Sequence, residues 1–213
     1  MSTVKLTGSS SGNAQVTVAA AAGTPTITLP TASIDFSTAG SDGQFLKTNG
    51  SGTLSFATPS GGKIVQVKYG TKVDTFSTAA TSFTDVTGLT ATITPTSTDN
   101  FIAIWAFING NTTGSKSYGR IARDSTGIGV GTASGSTVQA GWDMNHGGSS
   151  NRAQTSGNVW VEQAQSTSST VYKVQVRHEN GGADVYVNRT SSATDDASCG
   201  RYSSSIIVME FST

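Results

Sequence analysis

The sequence predicts an all-β protein in which a short β-rich stalk precedes a larger β-sheet domain. Apolar residues recur at every second position in many short runs, which is the period of a strand, and Gly, Asn, Ser and Pro separate these runs. No segment keeps the 3.6-residue period of an amphipathic helix. Many strands at short spacing without helices indicate a sandwich or a closed barrel.

Residues 1–62 form the predicted stalk and docking segment. They contain only four charged residues and the alternating runs "VKLTG", "AQVTVAAAAG", "TPTITLP" and "SIDFSTAG". These runs are too small and too rich in alanine to close a core within one chain, so a neighbouring chain has to supply the missing face. We therefore expect an obligate oligomer. The predicted docking and oligomerisation residues are Val4, Leu6, Val16, Val18, Ile27, Leu29, Phe45, Leu46 and Phe56.

A hairpin is predicted at the end of this segment, in "SDGQFLKTNGSGTLSFATPSGG", residues 41–62. Two short apolar runs flank the turn residues Asn49-Gly50-Ser51-Gly52. Asn-Gly accommodates positive φ, and between alternating residues it is a strong local signal for a hairpin. A lone two-stranded hairpin is only marginally stable in water, which suits a segment that relies on neighbouring chains.

Residues 63–213 form the predicted head domain. They hold about ten strand candidates rich in Val, Ile, Thr and aromatic residues, enough for one sandwich or barrel. The longest apolar run, residues 101–108, has eight residues and suits a buried strand, and we expect Trp105 and Trp160 to be buried. Because successive side chains of a strand point to opposite faces, alternation directs six residues to the interior. They are Ile102, Ile104, Val174, Val176, Ile206 and Val208.

The composition disfavours several classes of function. Charged residues make up 12% of the 213 residues, and 13 basic side chains balance 13 acidic ones, so no basic field is present to hold nucleic acid. The single cysteine cannot form an internal disulfide. "MSTVKLTGSSSG" lacks the apolar core of a signal peptide, and no apolar run approaches the roughly 18 residues of a membrane span. We expect a soluble chain made in a cytoplasm, with no membrane insertion.

Two parts of the sequence resemble proteins of phage virions. The stretch "DGQFLKTNGSGTLSFA" is similar to the linker repeat of tail fibres, which matches at Gly43, Gln44, Leu46, Asn49, Gly50 and Phe56-Ala57. Four later stretches resemble, in the expected order, the carboxy-terminal head domain of such fibres: "TDVTGLTATITPTSTDN", "GRIARDSTGIG", "TVYKVQVRHENGGADVYVNR" and "SSIIVMEF". The resemblance implies a trimeric jelly-roll head, of the tumour-necrosis-factor-like kind, on a short β-rich stalk.

The sequence offers little catalytic chemistry. Neither His146 nor His178 has a ligand or base at a recognised spacing, and a metal site needs three or four convergent ligands. A serine nucleophile would also need a base and an orienting carboxylate, and the carboxylates indicate no pair suited to glycoside cleavage. We expect no enzyme activity, no cofactor and no metal. His178 is expected to face solvent at a strand end, and Arg123 to form an ion pair with Asp124 near a turn.

The predicted binding region is the loop 131–157, which is long and rich in Gly and Ser. Long loops on a rigid β scaffold commonly carry binding sites. An exposed Trp beside Asp and Asn has the composition of a sugar platform, because a ring face stacks on a pyranose while polar groups bind its hydroxyls. The alternative is that Trp142 packs into the core or against another subunit. The predicted receptor-binding residues are Trp142, Asp143, Asn145, His146 and Arg152.

Together, the residues and the resemblance predict a non-enzymatic structural protein of a bacteriophage virion, of the tail-fibre or receptor-binding type. The expected partners are further copies of the chain in a homotrimer, other virion proteins of the tail or capsid, and a host-surface glycan. The expected localisation is the virion. Two alternatives stay open, namely a capsid decoration or head-fibre protein on the shell, and a hydrolase that acts on surface glycan.

Overall fold

The computed structural model describes residues 40–48, 50, 54–59, 62–112, 116–144, 152–192 and 197–213. Over these residues the chain forms thirteen strands and no helix, which confirms the predicted all-β class. Contacts divide the chain into two compact units, Met1–Ser60 and Gly61–Thr213.

The described part of the first unit is a hairpin. Strand β1 (Phe45–Thr48) pairs antiparallel with β2 (Leu54–Ala57), which confirms the predicted hairpin. Gly50 lies in the turn with φ of 81°, and its N–H donates to Thr48 Oγ1 over 3.1 Å. The remaining predicted docking residues, Val4, Leu6, Val16, Val18, Ile27 and Leu29, lie outside the described residues.

The second unit contains eleven strands among its described residues. In chain order they are β3 (Ile64–Lys72), β4 (Phe76–Thr78), β5 (Thr84–Ile93), β6 (Phe101–Thr112), β7 (Ser117–Arg123), β8 (Thr126–Ile128), β9 (Trp142–Asp143), β10 (Gln154–Gln163), β11 (Thr170–His178), β12 (Val185–Val187) and β13 (Ser204–Phe211).

These strands form two antiparallel sheets that pack face to face as a β sandwich. The first sheet has the order β3-β13-β6-β12-β4, and β10 pairs along the other edge of β6. The second sheet has the order β5-β11-β7-β8, and β9 also pairs with β7. One apolar cluster fills the space between the sheets, with contributions from strands of both.

The core confirms the predicted orientation of the strands. All six residues expected inside are fully buried: Ile102, Ile104, Val174, Val176, Ile206 and Val208. The prediction that both tryptophans are buried is wrong for Trp160, which is 38% exposed because β10 lies at an edge of its sheet. Trp105 is half-buried on the side of β6 that faces away from the core.

The two sheets approach closely where β3 crosses β5. A Cβ on Gly70 would collide with the backbone carbonyl of Thr90, so glycine is required for this approach. Elsewhere a polar contact joins the sheets. The Arg123 guanidinium lies 2.7 Å from Glu162 Oε2, and the Tyr172 hydroxyl donates to Glu162 Oε1 over 2.8 Å.

The predicted ion pair between Arg123 and Asp124 is therefore wrong. Asp124 occupies the turn between β7 and β8 with φ of 51°, and its Oδ1 accepts a hydrogen bond from the backbone N–H of Val171. Arg123 instead meets Glu162, which β10 brings from the other sheet. Adjacent opposite charges in a sequence need not pair when the backbone turns between them.

Candidate functional site

The predicted binding segment contains the short strand β9, which places its two residues on opposite sides of the sheet. Trp142 stands opposite Gly119 of β7, and its indole fills the space that a side chain at Gly119 would need. Trp142 is half-buried and packs against the core cluster. Core packing, the alternative raised from the sequence, therefore describes its environment, and receptor binding by this segment stays a prediction.

The other predicted site residues are distributed along the same segment. Asp143 is exposed and stands opposite Tyr118, so it points to the outer side of the second sheet. Arg152 is exposed just before β10, and its backbone carbonyl accepts a hydrogen bond from the Asn111 amide. Residues 145–151, which include the predicted site residues Asn145 and His146, lie outside the described residues.

The outer side of strands β5, β11 and β7 is polar, and we call it the polar face. Asp85 accepts hydrogen bonds from Lys173 Nζ and Gln175 Nε2, each over 2.6 Å. Burial alone would raise the pKa of Asp85, but these hydrogen bonds outweigh it and lower the pKa below its ordinary value. The Arg120 guanidinium lies 4.0 Å above the Phe83 ring, and its Nε donates to Gln175.

The outer side of strands β3, β13, β6 and β10 has the opposite character over three neighbouring cross-strand rows, which we call the apolar face. Their side chains are apolar except for one glutamine. They are Tyr69, Ile207, Trp105 and Val159 in the first row; Val67, Met209, Ala103 and Val161 in the second; and Ile64, Phe211, Phe101 and Gln163 in the third.

The apolar face is open to solvent in the single chain. Tyr69 is 71% exposed and Val161 is 54% exposed, and the three rows contain no charged side chain. Four strands about 4.8 Å apart and rows about 7 Å apart cover roughly 400 Å². A patch of this size matches the largest apolar patch of a typical soluble protein, and such patches are often functional. The face is therefore a candidate docking surface.

The acidic side chains nearest the core are already held by other groups. Glu210 is fully buried and accepts hydrogen bonds from Gln66, from Asn100 and from the N–H and hydroxyl of Thr96. Burial would raise the pKa of Glu210, but these donors outweigh it and hold the pKa at about 2. The carboxylate of Glu162 is likewise paired, and burial together with this acceptor raises the pKa of Tyr172.

His178 ends β11 as predicted, but the expectation that it faces solvent is wrong, because it is fully buried. Its Nδ1 accepts hydrogen bonds from the backbone N–H groups of Gly181 and Asn180. Within the described ranges, no group of three or more His, Cys, Asp or Glu side chains is arranged to hold a metal ion. The same residues include no helix long and apolar enough to cross a membrane.

Comparisons with known proteins leave the family of this chain open. No protein-family model matches the sequence, and a search of the curated proteins found no match.

Several residues of the two outer faces were not among the predicted site residues. Tyr118 and Arg177 stand opposite each other on the polar face, and the alternation of Lys173, Gln175 and Arg177 along β11 was the signal that could have found it. For the apolar face the signal was the unbroken run at 101–108. Strands that are buried on both faces have continuous apolar runs, so this run indicated that both sides of β6 pack against other groups.

Proposed function

We propose that this chain is a non-enzymatic structural protein of a bacteriophage virion, of the tail-fibre or receptor-binding type, that assembles as a homotrimer for host-surface attachment. The observation that carries the proposal is the apolar face. Three neighbouring rows of uncharged side chains on an otherwise hydroxyl-rich protein are suited to pack against a partner.

The composition of this face favours a permanent partner over a transient one. Transient interfaces are about as apolar as the rest of a protein surface, whereas obligate homo-oligomeric interfaces are more apolar and resemble a core cut in half. The rows at Tyr69 and Val67 fit the second description. We take the partner to be further copies of the chain, and the number three follows from the resemblance to fibre head domains.

The strand order supports a jelly-roll head. In both sheets, strands from early and late parts of the domain are neighbours, as in β3-β13-β6-β10 and β5-β11-β7. A jelly roll builds its two sheets from such pairings between distant parts of the chain. In the proposed trimer the apolar face meets neighbouring subunits, and the polar face remains directed outward, where attachment takes place.

A structural role also agrees with the state of the titratable groups. A general acid or base has to reach its substrate with a pKa near the working pH. Glu210 is fully buried with a pKa of about 2, and Glu162 is engaged by Arg123 and Tyr172. His178 is fully buried as well. These groups serve the fold, so we propose no catalytic role for them.

The assembly part of the proposal is tested by light scattering of the purified full-length protein. We expect a single species with about three times the chain mass of 21.7 kDa. A monodisperse species of one chain mass would contradict the proposal. Removal of residues 1–62 should weaken assembly, because the stalk is expected to contribute its own intertwined strands.

The location is tested by binding assays and by cryo-electron microscopy of the intact particle. The proposal expects purified trimer to bind host cells and the chain to occupy the tail. If the protein never binds cells but binds empty capsids, and its density lies on the shell, then capsid decoration is the function and host attachment is contradicted. Release of sugar from host polysaccharide by the purified trimer would contradict the non-enzymatic assignment.

A further inference from the structure

The polar face carries an open pocket with a volume of about 520 Å³, which we call the Arg177 pocket. This volume lies in the range of pockets that hold small ligands. The pocket lies on the second sheet, whose outer side is opposite the apolar face, so it stays open when the apolar face is covered. Its lining residues are Tyr118, Ser136, Thr137, Val138, Arg177 and Glu179.

The cationic side of the pocket is held in place by the backbone. Arg177 is half-buried, its Nε donates to the carbonyl of His178, and its Nη2 donates to the carbonyl of Glu179, each over 3.2 Å. Among the described residues the ion pairs are those of Lys72, Arg123 and Lys173, so no carboxylate there neutralises Arg177. A positioned guanidinium with donors to spare suits an oxygen-rich ligand.

The opposite wall is a tight turn with internal hydrogen bonds. The N–H of Thr137 donates to the carbonyl of Ser134 over 3.0 Å, and the Thr137 hydroxyl donates to the same carbonyl over 2.7 Å. Gly135 has φ of 55°, a conformation that glycine adopts without strain. A wall that is ordered before binding lowers the entropic cost of binding a small ligand.

The lining combines the group types that a pyranose ring requires. Tyr118 and Val138 offer apolar surface for the ring, and Arg177 offers donors to its oxygens. The Glu179 carboxylate offers an acceptor for ring hydroxyls, and its Oε2 accepts a long hydrogen bond from the backbone N–H of Lys116, over 3.5 Å. The pocket thus presents one cation and one anion.

We infer that the Arg177 pocket binds a neutral hexopyranose unit of a host-surface glycan, an inference that rests on the proposed attachment function. A neutral sugar fits because the pocket presents one charge of each sign, so a carboxylate or phosphate that pairs with Arg177 would also meet the carboxylate of Glu179. The site differs from the predicted one: it uses residues 136–138 of the segment 131–157, together with β7 and β11, and Trp142 is not part of its lining.

The test uses full-length protein and the methyl glycosides of glucose, galactose and mannose as probes, with methyl glucuronoside as the acidic counterpart. Binding is followed by ligand-observed NMR and by calorimetry. We expect at least one neutral glycoside to bind with a dissociation constant on the order of 1 mM. Arg177→Gln should weaken that binding at least about tenfold, because it removes a charged donor.

A matched variant separates this site from the rest of the polar face. Lys173→Gln removes a cation from β11 outside the pocket, so its glycoside affinity should equal that of the wild type. Thermal melting shows whether each variant is folded, and Arg177→Lys, which keeps the charge, provides a second version if Arg177→Gln does not fold. Weaker binding in each Arg177 variant that stays folded supports the inference, because lysine keeps the charge but lacks the planar fork of donors.

Other outcomes overturn it. Failure of all three neutral glycosides to bind, tighter binding of the glucuronoside, or equal affinity in folded Arg177 variants would each contradict a neutral-sugar site here. Host-cell binding separates this inference from the proposed function. If Arg177→Gln binds host cells as well as the wild type does, only the role of the Arg177 pocket is contradicted, and attachment itself is not. Protein that binds the glycosides but no host cell contradicts attachment and leaves the pocket assignment standing.

Discussion

The central strands of the two sheets, β6 and β11, bury one side in the same core but expose different chemistry on the other. The outward side chains of β6 include Trp105 and Phe107, whereas those of β11 include Gln175 and Arg177. Folding of the sandwich requires only the inward sides, so it does not explain the apolar outer side of β6. The two outer faces therefore suit different environments: under the proposed function the apolar face packs against further copies of the chain, and the polar face stays exposed.

The first prediction places a charge on each side of β6. Ile104→Asp should abolish folding, because an unpaired buried carboxylate costs several kcal/mol of a total stability of about 5–15 kcal/mol. Phe107→Asp on the outward side should fold, because that carboxylate reaches water. Circular dichroism melting checks both. Wild-type melting of Ile104→Asp would show that the assigned orientation of β6 is wrong.

The second prediction places charge on the two outer faces. The double variant Tyr69→Lys/Val161→Lys should fold but dissociate at concentrations at least about tenfold higher than the wild type, because buried charges oppose association. Thr87→Lys, at an exposed position of β5 in the other sheet, should leave association unchanged. Light scattering over a dilution series measures both. Equal dissociation of the two variants would contradict the assignment of the apolar face.

The third prediction concerns Glu210, which faces inward on β13 beneath the apolar face. Its pKa of about 2 lies below the ordinary value of 4.5, so the folded state favours the ionised form. This contributes about 3 kcal/mol of unfolding free energy above pH 4.5, and the contribution is lost as the pH falls through 2.

Glu210→Gln should therefore lower the unfolding free energy by about 1–3 kcal/mol at pH 7, because one carboxylate oxygen becomes a donor that faces donors. Between pH 4.5 and 2, the unfolding free energy of the variant should also fall less than that of the wild type. Glu179→Gln at an exposed position should change stability by less than about 0.5 kcal/mol. Denaturant titration at several pH values measures this, and equal effects of the two variants would contradict the role of Glu210.

The fourth prediction tests the packing of Trp142 against the core. Gly119→Ala should destabilise the fold by about 1–3 kcal/mol, because the new methyl group needs the space that the indole occupies. Gly131→Ala provides a matched control, since no atom lies within 4 Å of the added Cβ. Thermal melting compares the two. An unchanged melting temperature in Gly119→Ala would mean that Trp142 is free to move outward.

The smallest effect is expected on the polar face itself. Lys173→Gln removes the ion pair with Asp85, whose atoms are 2.6 Å apart at a partly exposed position. Such pairs contribute only about 0.2–1 kcal/mol, and salt screens them. The difference from wild type should therefore shrink in about 1 M salt. A loss above about 2 kcal/mol would show that the polar face stabilises the fold and would weaken the comparison.

The strands and the side chains that face inward could be predicted from local sequence. The period of two is a local property, so Ile104 and Val174 could be assigned to the core before any pairing was known. The hairpin at Asn49-Gly50 was local in the same way, because its turn chemistry selects the connection. The run 101–108 even indicated that β6 is apolar on both sides.

Which strands are neighbours and which edges are open depends on the tertiary fold and could not be predicted. Alternation tells which way a side chain points but not what it meets, because strand pairing joins residues far apart in sequence. That is why the partner of Arg123 is Glu162, why His178 is buried at the end of β11, and why Trp160 is exposed at the edge strand β10. The same pairing aligned apolar residues from four separate strands into the rows of the apolar face.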